Sequence, residues 1–493
     1  MSKYKNVILF LLLPPLIALG VLYGVERKFN AQLRAELYNY YKNEQGVSKD
    51  SFAGVTGAKF CAYQENVAAA PSFCRDVKIV SVTEKAALAV IIVSILYILF
   101  VAVIGRKSRN RRDALLRLFS PGLYITALFT VLVTIANAAV LLAAIFYGET
   151  VFTGYYTPKI LLVLAIASVY AVWITITSVW NAVKKPVQAP IALVLSKEEN
   201  PKIWALAEDV ARSLNAAPPD NIIAGLEPSF YATEIENVVD GKPLSGGTVF
   251  LSIPFCRILT PGELRGILGH ELSHFTGEDV KYTTKFYPVY AGASGAVAVL
   301  GAQRAGLGTL GILPATAMFS FFLNVFAETE REIGRARELN ADKESALRAA
   351  GAMDNAGALV KLHAYGPAFN AAYKAVSDGA ASDKAEKNFG EIYENAVKSL
   401  TPDAAEENIK KGYGIQHPTD THPQLSERLA NLGVTENQII GSALKIPAPQ
   451  DSAAALIPQH EKIEEELTAV LNQIYINHFR ALAEAQAKGK KKK

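Results

Sequence analysis

The chain has 493 residues, of which 51% are hydrophobic and 19% charged, with a formal net charge of +4 and three cysteines. That length exceeds the need of one ordinary domain, and three cysteines cannot staple a chain of this size, so a disulfide scaffold is excluded. The small net charge, with Lys and Arg gathered beside apolar stretches rather than interleaved with aromatics, argues against a nucleic-acid partner.

The hydrophobic share is concentrated in uncharged runs at 7–25, 86–104, 121–147 and 160–183. Each reaches the roughly 18 residues that cross a bilayer as a helix, so a four-helix transmembrane region is expected over residues 1–185. Lys3 and Lys5 would also suit the charged start of a signal peptide, but no small-x-small cleavage site follows, and the first run is read as a retained helix. Between the second and third runs stand Arg106, Lys107, Arg109, Arg111, Arg112 and Arg117, opposed only by Asp113; Lys184 and Lys185 follow the fourth. The positive-inside rule puts these basic segments in the cytoplasm, with the N-terminus inside and the 26–85 loop outside. Cys61 and Cys74 lie in that loop, where an oxidising compartment permits a bridge between them.

From about residue 190 the composition becomes that of a soluble mixed α/β domain, expected over 186–440. A helical pattern covers Pro201–Leu214, turns fall at Pro218-Pro219 and at 244–247, and the β-rich stretch 248–253 reads as a strand. Cys256 sits among apolar residues and is expected to be buried and inert.

The segment Gly266-Ile-Leu-Gly-His270-Glu271-Leu272-Ser273-His274-Phe275 contains H-E-x-x-H. Thr260, Pro261, Gly262 and Glu263 ahead of it make a good helix start, with Pro at the first helical position. On a helix, His270 and His274 at i and i+4 project from one face and can share a metal, while Glu271 stands close enough to take a proton from an attacking water. The bland alternative is a pair of polar histidines on a surface helix. Ile267, Leu268, Leu272 and Phe275 make the helix substantially apolar, and a buried histidine pair wants a partner.

Two uncharged Gly- and Ala-rich runs follow, 286–302 and 305–327, joined through Gln303 and Arg304; they read as a membrane hairpin, with a buried soluble hairpin as the alternative. A metal also needs a third protein ligand. The metzincin position is occupied by Val280, which excludes that subclass. Glu338 and Asp342, again i and i+4, offer one carboxylate for metal and one to orient a ligand histidine, with Glu328, Glu330 and Glu332 in competition. Further on, His422 stands in Thr421-His422-Pro423, with His417 before Pro418 as its rival. His363, His460 and His478 belong to no motif and are expected to be structural or exposed. Residues 441–493 are Pro- and Ala-rich, then helical from Glu461, ending in lysines; they read as a solvated tail that anionic lipid could attract.

In order along the chain, H-E-x-x-H, an apolar hairpin, Arg335-x-x-Glu338-x-x-Ala341-Asp342 and Thr421-His422-Pro423 with Arg428 resemble the membrane metallopeptidases typified by HtpX and the CaaX prenyl endopeptidases, peptidase family forty-eight. The likeness covers roughly 190–435. It implies an α-helical membrane region plus a mostly α, α/β zincin-type metalloprotease domain with a hydrophobic helical hairpin inserted after the H-E-x-x-H helix. It further implies one Zn2+ per chain held by His270, His274 and Glu338, with Glu271 as catalytic base, Asp342 and Arg335 behind the ligands, and His422 with Arg428 near substrate. The expected activity is membrane-bound, zinc-dependent endopeptidase action on unfolded or membrane polypeptides, in quality control at a bacterial inner membrane, with the catalytic domain facing the cytoplasm. A dedicated processing protease of CaaX type and an inactive membrane scaffold are the alternatives, and the oligomeric state is left open. An extended substrate is expected to add to an edge strand near 248–253. Where the family has Asn-Ala-Phe ahead of that strand, this chain has Pro228-Ser229-Phe230-Tyr231-Ala232, so no asparagine-mediated substrate contact is expected.

Overall fold

The computed structural model describes residues 2–43, 47–64, 72–108, 112–183, 187–276, 289–290, 292–295, 308–382, 384–414 and 423–490. The chain divides into two compact units, residues 1–184 with 289–329 and residues 185–288 with 330–493.

The first unit is helical: α1 (Ser2–Tyr41), α2 (Gly57–Gln64), α3 (Ser72–Ser108), α4 (Arg112–Thr153) and α5 (Pro158–Val183). Among the described residues, four helices are long and apolar enough to cross a membrane, within Lys5–Tyr41, Ser72–Ser108, Asp113–Thr153 and Pro158–Thr177. Their buried seam is rich in small and branched residues, among them Ala18, Val25, Ala87, Val140 and Ala144, which lets the backbones come close where no water drives association. Leu96, Leu128 and Val169 instead point outward, as a lipid-facing surface requires. Several buried hydroxyls are satisfied locally: Thr126, Thr130 and Thr134 each donate to the carbonyl four residues back, and Tyr97 donates to Thr126 Oγ1 at 3.1 Å. That back-bonding removes the cost of an unpaired polar group in hydrocarbon.

Of the expected 286–327 hairpin, residues 286–288, 291 and 296–307 lie outside the described residues. Its later limb opens the helix Gly308–Ser345, in which Phe322 and Phe326 pack on Phe119 and Met318 Sδ lies 3.4 Å from Thr130 Oγ1. Cys61 on α2 and Cys74 on α3 are joined by a disulfide. Closing so short a loop restricts the unfolded chain. Changing both cysteines to Ser is expected to destabilise this unit by about 2–3 kcal/mol, read as a lowered thermal midpoint in detergent.

In the second unit, β1 (Ala192–Val194), β2 (Asn221–Gly225), β3 (Tyr231–Thr233) and β6 (Thr248–Ser252) form one sheet in the order β1-β2-β6-β3, while β4 (Asn237–Val239) and β5 (Lys242–Leu244) pair separately. β2 and β6 run parallel, and β3 lies antiparallel to β6. Helix α6 (Pro201–Leu214) crosses from β1 toward β2 in sequence and buries Ile203, Ala207, Val210 and Leu214 at helical spacing. The 248–253 stretch is therefore an interior strand, and the expectation that it forms the substrate edge is corrected: both its faces are buried, and the short β3 is the edge on that side. Ile253 already belongs to the next helix.

That helix is α7 (Ile253–Ile258), followed by α8 (Pro261–Ser273), α9 (Gly308–Ser345), α10 (Ala352–Tyr365), α11 (Ala368–Ala381), α12 (Phe389–Ser399), α13 (Pro402–Gly414), α14 (Leu425–Asn431), α15 (Glu436–Ala443) and α16 (His460–Lys490). Cys256 is buried among them as a free thiol, which burial pushes well up from its ordinary pKa. The tail does not behave as a solvated appendage over its first part. Leu467 and Leu471 join the common core, and Glu464, 0% exposed, pairs with Arg257 at 2.6 Å. The Ile463, Leu467, Leu471 stripe recurs every four residues and gives α16 an apolar face to bury.

A second buried pair fixes the start of α8. Lys361, 1% exposed, donates from Nζ to Glu263 Oε2 at 2.8 Å and to the Ile258 carbonyl at 2.9 Å. Glu263 also completes a capping box: its backbone N–H donates to Thr260 Oγ1 at 3.2 Å, and its carboxylate accepts from the Thr260 N–H at 2.7 Å. Lys361→Met is expected to strand that carboxylate and cost about 3 kcal/mol, measured by chemical denaturation. The double change with Glu263→Gln should recover part of the loss.

Candidate metal centre

The capped start sends α8 inward as a regular helix, and His270 and His274 emerge near its end with their rings 5.1 Å apart. What faces them is set by two glycines. Ser345, at the end of α9, donates to the Gly266 carbonyl at 2.8 Å, and a side chain at Gly269 would collide with Ser345. This close crossing brings Glu338 and Asp342, two turns and one turn earlier on α9, against the histidines.

Glu338 Oε2 lies 3.3 Å from His270 Nε2, and Glu338 Oε1 lies 3.4 Å from His274 Nε2. Ligand atoms on an ion held tetrahedrally by bonds of 2.0–2.1 Å stand about 3.3–3.4 Å apart. The donor set, all within 4.8 Å of one another, therefore fits a metal of that size. The other nitrogen of His270 agrees: Nδ1 is 2.8 Å from Asp342 Oδ1, so the ring donates there and keeps its Nε2 lone pair for metal. Asp342, 2% exposed, is itself gripped by Arg428, whose Nε donates to Oδ2 at 2.8 Å and Nη2 to Oδ1 at 2.6 Å.

Burial alone would raise the Asp342 carboxyl, but Arg428 and then His270 outweigh it and hold it at about 2. Burial would likewise disfavour a charged His270, yet hydrogen bonds to Asp342 and Glu338 and the charge of both carboxylates raise its pKa to about 10. A metal entering this cluster must displace that proton, which ties metal uptake to pH.

Glu271 leaves the cluster on the side of β3. Its Oε2 accepts the Ala232 N–H at 3.2 Å, so this amide points out from the unpaired edge of the sheet. Beside both opens a cavity of about 580 Å3, bounded by His270, Glu271 and Asp342 and by the apolar side chains of Phe230, Phe255, Ile267 and Leu359.

Of the residues singled out in the sequence, six therefore converge here: His270, Glu271, His274, Glu338, Asp342 and Arg428. Arg335 is half-exposed on α9 and takes no part in the described contacts; Arg337 instead comes within 3.3 Å of His274 Nδ1. A guanidinium only donates, so this contact and a metal on Nε2 compete for the tautomer of His274. His422 and His417 lie outside the described residues, although Pro423, next to His422, lines the cavity. Cys61 and Cys74 belong to the other unit. His363, expected to be structural or exposed, lines the cavity and has Nδ1 2.8 Å from the Leu359 carbonyl. Its position on the face of α10 that also carries Asn355, Leu359 and Leu362 was the available signal; for Ala232 there was none.

Residues 197–436 match the model of peptidase family M48. A protein named "Protease HtpX homolog" from Bifidobacterium longum is 24% identical over 298 residues, 58% of this chain and 86% of that protein. One of the same name from Burkholderia thailandensis is 24% identical over 275 residues, 55% of this chain and 86% of that protein. No solved structure matches. Among the described residues, four long apolar helices thus accompany a segment, residues 197–436, that matches peptidase family M48 and is similar to the HtpX homologues.

Proposed function

We propose that the chain is a membrane-bound zinc endopeptidase that cleaves unfolded or membrane polypeptides, in protein quality control at a bacterial inner membrane. The observation that carries the proposal is the convergence of His270, His274 and Glu338, whose candidate ligand atoms all lie within 4.8 Å of one another, with Glu271 beside an open cavity. Zinc held there would supply Lewis-acid polarisation of the attacking water and of the scissile carbonyl.

The remaining work falls to the protein. Glu271 accepts a proton from the attacking water as the new C–O bond forms, then gives it to the amine as the C–N bond breaks. Asp342, held by Arg428, keeps His270 in the ligating tautomer. An extended substrate would lie along the free edge of β3, where the Ala232 N–H can turn from Glu271 to a substrate carbonyl, and side chains would enter the neighbouring cavity. The basic loops support a cytoplasmic catalytic domain.

The test is cleavage of casein by the detergent-purified chain, with and without phenanthroline. Cleavage that stops with the chelator and returns with added Zn2+ is the expected result. Metal loading without cleavage of casein, but with cleavage of a prenylated peptide, would move the processing reading ahead.

A further inference from the structure

The second half of α16 carries a surface that the metal centre does not use. Leu467, Leu471 and Tyr475 pack against the core at steps of four residues, and among the described residues Tyr475 is the last side chain of the helix to do so. The helix runs on to Lys490, about 22 Å further at the rise of an α-helix. Its apolar face runs on as well. Phe479 and Leu482 follow Tyr475 at steps of four and three, which keeps them on the line of Leu467 and Leu471, and Ile474 stands beside them. Ile474 and Leu482 are each 46% exposed. The opposite face is polar: Gln473 Nε2 donates to Asn477 Oδ1 at 2.9 Å, and Arg480 and Glu484 are exposed along the same side.

Charge selects what can cover this face. Beyond Tyr475 the basic residues are Arg480, Lys488 and Lys490 to Lys493, and the only acid is Glu484. A second copy of so basic a helix would bring like charges together and offer them no acidic partner. Nucleic acid would satisfy the lysines and leave the apolar face in water. An anionic bilayer answers both needs, with an acyl boundary for Ile474, Phe479 and Leu482 and phosphate charge for the lysines. The chain meets lipid in any case, since four of its described helices are long and apolar enough to cross a membrane.

We propose that α16 from Ile474 onward lies in the surface of an anionic bilayer, with Ile474, Phe479 and Leu482 turned into the acyl boundary and Lys488 and Lys490 to Lys493 among phosphatidylglycerol phosphates. Each lysine close to such a surface multiplies the partition by about fivefold. The apolar face sets which side of the helix enters the lipid, and the lysines make the contact depend on lipid charge and on salt.

The experiment uses the full chain in nanodiscs, made either of phosphatidylcholine alone or of phosphatidylcholine with an equal part of phosphatidylglycerol. An environment-sensitive nitrobenzoxadiazole dye is attached on the apolar face through Leu482→Cys, or on the polar face through Asn477→Cys. The native thiols do not compete, because Cys256 is buried and Cys61 is bridged to Cys74. The emission of the dye at 482 is expected to move to shorter wavelength in the anionic discs only, and that of the dye at 477 in neither. Salt at about 1 M, where charges are screened beyond about 3 Å, should reverse the shift. Lys488→Gln together with the same change at 490–493 should abolish it with the thermal midpoint unchanged, since these residues follow the last core contact. Equal emission from 482 in both lipids, equal shifts at 482 and 477, or a shift that survives the lysine changes each overturns the proposal. A shift in both lipids accompanied by a doubled mass on native mass spectrometry would assign the face to a second copy instead.

Discussion

Replacing Glu271 by Gln is expected to lower casein turnover by at least about a thousandfold, within the range that a positioned general base contributes, while the metal content stays unchanged. Glutamine keeps the size of the side chain and an oxygen that can still accept from the Ala232 N–H, so neither α8 nor the edge of β3 has reason to move. It has no basic oxygen, and no other described carboxylate combines cavity exposure with freedom from the ligand cluster. Asp342 lines the same cavity but is committed to Arg428 and His270. Turnover and zinc content should be measured on the same preparation. A variant that holds zinc and retains a tenth or more of wild-type turnover would remove Glu271 from the role of base.

The ease of reading this site from the sequence varied with how local its signals are. The H-E-x-x-H helix was legible because Thr260, Pro261, Glu263 and the i, i+4 histidines all lie within fifteen residues and agree. Glu338 was not legible by spacing alone, since Glu328, Glu330 and Glu332 have the same chemistry. The choice is made by the crossing at Gly266, Gly269 and Ser345, a contact between distant segments that single-helix patterns do not carry. The edge strand was misread for a related reason. Residues 248–253 have the strongest β composition, but Val249, Phe250 and Leu251 form a continuous apolar run, which suits an interior strand next to a parallel neighbour. The true edge at Tyr231–Thr233 is three residues long, too short for any period to show. In the tail, the terminal lysines suggested solvent, and the apolar stripe on α16 outweighed them in the fold.

Removing Arg428 should damage the site without touching a metal ligand. Arg428→Met leaves Asp342 buried with its guanidinium partner gone, and breaking a buried pair from one side costs about 3–5 kcal/mol. The loosened Asp342 also holds His270 less firmly, for which a fall of about 10–100-fold in zinc affinity is expected. Chemical denaturation and competition with a fluorescent zinc chelator would measure the two effects separately. The pH dependence carries an independent sign. In wild type the Asp342 carboxyl sits at about 2, below its ordinary value of 3.8, so its share of stability is complete above that ordinary value and disappears as pH falls through 2. The share is about 2 kcal/mol by linkage. Without Arg428, only His270 is left to oppose the upward push of burial on the carboxyl, and the metal-free variant should begin to lose stability at a higher pH than metal-free wild type on acidification. If the variant and wild type unfold with the same acid midpoint, the charge on Asp342 is not being held by Arg428, and the positioning of His270 must come from the packing of α8 against α9 alone.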